Sequence, residues 1–262
     1  MFDTHCHLTF PDFHDRVGDV LDAAQAVGVR GAITVSTGSD NARAALAIAE
    51  SDPRVWCTAG VHPLHSDEPI DWAAIRRVGA HPRCVAWGEM GLDNHYERPA
   101  ASTQRRVLAE QLAHLELWRR EGIDLPVVIH CREAFEDLLP LLGASSLDPS
   151  RMVFHCFTGT PEDARAVLDF GAWISFTGVV TFANARGVAE AAKLVPADRI
   201  MAETDAPFLS PEPVRTTRPN EPAYVAHVIR RLAHLRDQPL AEFDAQLDRN
   251  AERFFGIELP TG

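Results

Sequence analysis

Lysine is almost missing from this chain. Lys193 stands alone among 262 residues, and every other fixed cation is an arginine. The basic side is outweighed as a whole, for the formal net charge is -12. That balance argues against broad, sequence-independent clamping of nucleic acid along a basic face. It leaves room for an enzyme that draws a phosphodiester end into a pocket whose local field is set by metal ions. No apolar run is long enough to span a bilayer, and no basic segment followed by an apolar one opens the chain, so neither a membrane nor export is expected. The five cysteines, Cys6, Cys57, Cys84, Cys131 and Cys156, include no C-x-x-C pair. Free buried thiols in a reducing cytoplasm fit them better than disulfides or a zinc ribbon. No Pro/Gly/Ser-rich linker divides the chain, so one domain is expected over residues 1–262.

What is present is an alternation. Apolar runs suited to strands recur near Met1–Leu8, Arg30–Ser36, Val55–Val61, Cys84–Met90, Leu125–Cys131, Met152–Phe157, Ala172–Phe176 and Ile200–Thr204. Several are continuously apolar, as parallel strands buried on both faces require. Helical patterns fall between and after them, at Asp12–Val27, Asp40–Ser51, Ala100–Glu121, from Thr160-Pro161 onward, and at Glu221–Leu235 and Leu240–Asn250. Eight strand–helix units without a break predict an α/β fold, the (β/α)8 TIM barrel. Such a barrel carries its chemistry at the C-terminal ends of its strands.

Ligand-type residues gather at those ends. His5 and His7, two apart on a strand, share a face while Cys6 points away. His62, Glu89, His130, His155 and Asp205 each follow or end a later apolar run. One such residue is easily a satisfied core polar group, but seven at successive strand ends are not. The six best candidates, His5, His7, Glu89, His130, His155 and Asp205, comprise four imidazoles and two carboxylates. This mixture suits Zn, Mn, Co or Ni, and Mg less well. Their number exceeds one tetrahedral site, so two divalent ions with a bridging carboxylate are expected.

The chain resembles the TatD-related metal-dependent deoxyribonucleases, a family of amidohydrolase-like barrels. The resemblance rests on Asp3-Thr4-His5-Cys6-His7, Gly60-Val61-His62-Pro63, Gly88-Glu89-Met90-Gly91-Leu92-Asp93, Val128-Ile129-His130-Cys131-Arg132, His155-Cys156-Phe157-Thr158-Gly159, Ile174-Ser175-Phe176-Thr177-Gly178 and Glu203-Thr204-Asp205-Ala206-Pro207. Asn220-Glu221-Pro222 and the segment from Asn250 to Gly256 extend it to the C-terminal region.

It implies that His5, His7 and Asp205 hold one ion, His130 and His155 the other, and that Glu89 bridges them. Lys193 lies in a helical stretch, so a carboxylated lysine from a barrel strand is not available for that bridge. The implied activity is cleavage of DNA phosphodiesters, exonucleolytic and on single-stranded 3′ or 5′ ends, by a water activated between the two ions. Asp205 is the expected general base and, with Glu89, forms the catalytic pair. His62, Arg132, Arg215 and Arg218 are the expected substrate contacts, and a cytoplasmic monomer is plausible.

Two departures from the family pattern bear on the substrate. Asn94-His95-Tyr96 stands where an aromatic pair is common, and Arg215-Thr216-Thr217-Arg218-Pro219 precedes Asn220. The competing reading keeps the barrel and the ions but changes the bond, to an amide or an ester such as that of an aminoacyl-tRNA. A catalytically idle metal-binding scaffold is disfavoured, because the ligand set is intact.

Overall fold

A computed structural model describes residues 1–260; the last two residues of the expected 1–262 domain lie outside the described residues. The eight strands are β1 (Asp3–Cys6), β2 (Ala32–Thr34), β3 (Val55–Ala59), β4 (Cys84–Asp93), β5 (Val127–Arg132), β6 (Met152–Phe154), β7 (Trp173–Phe176) and β8 (Ile200–Ala202). They pair in sequence order, every pair parallel. The ring is closed between its last and first strands by a bridge of Cys6 to Ala206, with the His7 amide donating to the Ala206 carbonyl (2.7 Å) and the Asp205 amide to that of His5 (2.9 Å). This is the (β/α)8 barrel that the alternation predicts.

The helices lie between and after the strands: α1 (Val17–Ala26), α2 (Ser39–Ser51), α3 (Trp72–Gly79), α4 (Ala101–Arg120), α5 (Phe135–Gly143), α6 (Pro161–Phe170), α7 (Arg186–Leu194), α8 (Val225–Leu235) and α9 (Leu240–Phe255). α1 begins later than the pattern suggests. Pro11–Phe13 form a 3-10 turn and Asp15 takes φ 58°, a left-handed conformation that interrupts a helix. α3 and α5 leave little periodic signal in the sequence, since each is short and α5 carries Pro140 inside it. Asp71 caps α3, accepting the Ala74 amide. At α6 Thr160 caps the helix together with Asp163, each side chain accepting the other's backbone amide, with Pro161 in the first turn.

Two layers of apolar packing follow from strand alternation. Outward residues such as Cys6, Cys57, Trp87, Ile129 and Phe154 pack under the helices. Inward residues Ile33, Val35, Val85, Val128, Val153 and Met201 fill the barrel, which Phe254 and Phe255 of α9 plug from the N-terminal end. The barrel floor is thus solid apolar material, so a cavity can open only at the opposite end.

β4 departs most from expectation. It runs on to Asp93, and its register with β5 shifts between Trp87 and Met90. Gly88 takes φ +127°, and a Cβ there would stand 2.6 Å from the Val128 carbonyl oxygen. Only glycine lets β4 lie this close to β5 in that conformation. Glu89, in this irregular stretch, turns its carboxylate into the barrel mouth.

Candidate metal centre

A cavity of about 840 Å³ opens at the C-terminal end of the barrel, within the usual range for ligand pockets. His7, His62, Glu89, His130, His155 and Asp205 line it, and His5 lies fully buried beneath. Two clusters meet there. In the first, His5 Nε2 and His7 Nε2 are 3.3 Å apart; Asp205 Oδ1 lies 3.6 and 3.4 Å from them, and Glu89 Oε1 3.6 and 3.5 Å. In the second, Glu89 Oε2 is 2.7 Å from His155 Nε2 and 3.3 Å from His130 Nδ1, and those two nitrogens are 3.2 Å apart. Four donors about 2.0–2.2 Å from a tetrahedral cation stand roughly 3.3–3.6 Å from one another, the spacing seen in the first cluster.

Ring nitrogens facing ring nitrogens, around a carboxylate buried to 1% exposure, form no ordinary hydrogen-bonded network. Glu89 Oε2 receives no aligned hydrogen bond, and His5 Nδ1 has no partner at all. Lone pairs converging in this way call for cations, and the residues present fit divalent ones. Burial pushes the Glu89 carboxyl upward, but the surrounding imidazoles of His155, His62 and His5 hold it well below the usual carboxylate range. Asp205 is likewise raised by burial and brought below its ordinary value by His7 and His5.

The outer nitrogens sort the rings. His7 Nδ1 meets the Val35 carbonyl oxygen at 3.2 Å, and His130 Nε2 meets Asp93 Oδ2 at 3.1 Å. Each outer nitrogen then carries the proton, so the inner lone pair is directed into the cavity. Glu203 stands behind His155, with Oε1 3.5 Å from Nδ1. Glu203 is itself fixed by the Cys156 amide (2.5 Å), Ser175 Oγ (2.7 Å) and Thr4 Oγ1 (3.3 Å). His62 is the reverse case. Its Nδ1 accepts the Leu64 amide at 3.0 Å, so in the neutral ring Nε2 carries the proton and points inward, 3.2 Å from His130 Nδ1. Burial drives the His62 pKa well below its ordinary value, which keeps the ring neutral.

The sequence pattern does not show the roles of Asp93 and Glu203. The signal was present: each is a carboxylate within the same short motif as a ligand candidate, but only the fold shows which imidazole it backs. A third buried carboxyl, Asp3, is pushed up to about 8 by burial, while the Thr204 hydroxyl (2.6 Å) and amide (2.9 Å) that it binds act in the opposite direction. Asp3 and Thr204 tie β1 to the chain beyond β8, next to His5 and Asp205.

The arginines separate. Arg132 lines the cavity, its guanidinium 5.2 Å from the centre of the Tyr96 ring. Arg215 and Arg218 are not among the cavity-lining residues. Arg215 lies over the Phe182 ring at 3.8 Å, and Arg218 Nη1 donates to the carbonyls of Arg215 (2.7 Å) and Thr217 (3.0 Å) in its own loop. Cys156 also departs from expectation. Strand alternation from His155 would point it outward, but it takes φ 46° and lines the cavity, with Sγ 3.6 Å from Thr177 Oγ1. Burial raises that thiol well above its usual pKa, so it is no thiolate nucleophile. Lys193 lies on α7, paired with Glu190 at 2.7 Å and remote from any bridge.

A parallel barrel with imidazoles and carboxylates converging at its strand ends is the architecture of a metal-dependent hydrolase. The chain matches the TatD related DNase family over residues 2–256, and it belongs to that family. It is 34% identical to the uncharacterized metal-dependent hydrolase YabD of Bacillus subtilis, over 98% of this chain and 99% of that protein. It is 37% identical to the 3′-5′ ssDNA/RNA exonuclease TatD of Musicola paradisiaca, over 98% of each chain. Its fold superposes on the crystal structure of YJJV, a TatD homologue of Escherichia coli K12, with a TM-score of 0.90, 29% identity and 98% of each chain covered. The protein is therefore a metal-dependent hydrolase acting on ester bonds.

Proposed function

We propose that the protein is a phosphodiesterase that trims single-stranded nucleic acid from an end, using two divalent ions. The observation that carries this reading is the division of Glu89: one carboxylate oxygen faces His5, His7 and the Asp205 side, and the other faces His130 and His155. A shared carboxylate between two donor clusters suits a pair of ions better than one. His5, His7 and Asp205 would hold the first ion, His130 and His155 the second, with Glu89 common to both. When bound, such ions supply Lewis acidity, which makes water nucleophilic near neutral pH and neutralises charge on a phosphoryl group.

The chain's own groups do the rest. Asp205 keeps part of its side chain open to the cavity, with 14% of it exposed, and accepts the proton of the attacking water. His62 directs its Nε2 proton inward and donates to a phosphoryl oxygen. Arg132 steers the phosphate from the rim. A nucleic-acid substrate draws support from the exonuclease name carried by the Musicola relative.

The test is to give the metal-reconstituted protein single-stranded DNA, RNA and an aminoacyl ester side by side. Release of mononucleotides from the oligonucleotides, without comparable ester cleavage, is the expected result. Turnover of the aminoacyl ester alone would replace this reading with the acyl one.

A further inference from the structure

The cavity that should receive a polyanion is poor in cations. Five carboxylates line it (Glu89, Asp93, Glu133, Asp163 and Asp205) against one guanidinium, that of Arg132. Even with bound ions compensating the innermost of these, little electrostatic attraction remains for the rest of a substrate strand. Aromatic surface is available instead. Among the described residues the only exposed Phe, Tyr or Trp side chains are Phe208 and Tyr96, 50% and 49% accessible, and both line this cavity.

Their positions are opposed. Phe208 follows β8, next to β1, whereas Tyr96 follows β4 and faces the end of β5; in an eight-stranded ring these lie across the mouth from each other. Phe208 meets Phe10 edge-on at 5.9 Å and stands 6.4 Å from His7, and Phe10 stacks on His7 at 4.7 Å. Its backbone is tightly held. The Phe208 amide donates to Asp205, and the side-chain amide of fully buried Asn220 donates to the Phe208 carbonyl. Tyr96 is supported by the Arg132 guanidinium and by an edge contact with His95 at 4.9 Å. A large ring left half in water on a fixed backbone is a stacking surface awaiting a planar partner.

Resting on the phosphodiesterase reading, we propose that Phe208 and Tyr96 are two base-stacking platforms. They hold the unpaired bases on either side of the scissile phosphodiester, one base against each ring. Stacking is indifferent to base identity, so the enzyme should accept every base while requiring that the end be unpaired. A duplex end offers its bases to each other and cannot straddle the cavity.

The decisive substrates are single-stranded oligonucleotides carrying one abasic residue, either at the cleaved end or next to it. In the native protein each abasic position should lower kcat/KM by about tenfold. Phe208→Leu should erase the response to one of the two positions, and Tyr96→Leu the response to the other. A native protein indifferent to both positions, or variants that keep the native ratios at both, would overturn the proposal. A second readout needs no turnover: 2-aminopurine in the terminal pair of a non-hydrolysable oligonucleotide should be quenched on binding to the metal-loaded protein, and less so in the two variants. Absence of quenching by the native chain, or equal quenching by the variants, would also overturn it. If no oligonucleotide is cleaved at all, the phosphodiesterase reading fails, while the fluorescence still decides the stacking.

Discussion

Asp205 and Glu203, two residues apart at the end of β8, illustrate how position assigns chemistry to the same functional group. Asp205 faces the cavity, and its carboxylate is the proton acceptor in the proposed reaction. Asp205→Asn should lower kcat by about 10²–10⁴-fold, with an unchanged far-ultraviolet circular dichroism spectrum. Near-native nucleotide release by that variant would remove Asp205 from the mechanism. Glu203 is 1% exposed, does not line the cavity, and stands behind His155, so its expected role is to position that ring. Glu203→Gln should weaken retention of the ion beside His155 by about 10–100-fold in a metal titration, and saturating metal should restore most of the turnover. If added metal restores nothing, the role of Glu203 lies elsewhere. His62 shows the limit of residue type as evidence. It sits at a strand end like the other imidazoles, yet a single backbone amide, that of Leu64, fixes its tautomer as a donor.

Elements were legible in the sequence where their period was long and unbroken. α4 and the continuously apolar β5 fall within a residue or two of the expected limits, because burial on one or both faces leaves a direct imprint on composition. α3 and α5 left a weaker imprint, and α1 was shortened by one left-handed residue. The extension of β4 to Asp93 was not legible, since Gly88 and Gly91 read as breakers until β5 is seen lying against them. Gly88→Ala should cost more than about 3 kcal/mol, combining a disfavoured φ with a clash against Val128. A fall in the denaturant midpoint of the purified variant checks this, and a stability equal to native would show that β4 can relax there.

At the scale of the whole molecule, the net charge of -12 and the acidic lining of the cavity set how a polyanion can be approached. With Arg132 the sole guanidinium at the mouth, binding of a single strand should release few counterions. The logarithm of kcat/KM against the logarithm of salt concentration should then have a slope of about -0.7, the value for one neutralised phosphate on a single strand. A slope several times steeper would mean that arginines outside the cavity engage the strand, Arg215 and Arg218 foremost. No helix among the described residues is long and apolar enough to cross a membrane.

By itself the sequence determined the barrel and the inventory of donors. Alternation of buried strands with amphipathic helices leaves few other architectures, and each donor interrupts an apolar run at its end. The family resemblance implied how those donors divide, but only the tertiary structure brings them within reach of one another. Closing β8 onto β1 brought Asp205 to His5 and His7, across some two hundred intervening positions. The irregular β4 then set Glu89 between both clusters, with one oxygen toward each. Such assignments depend on distances between residues remote in the chain, and on which nitrogen of each ring finds an acceptor behind it. Local patterns encode neither, because the strand order and the β4 register create them.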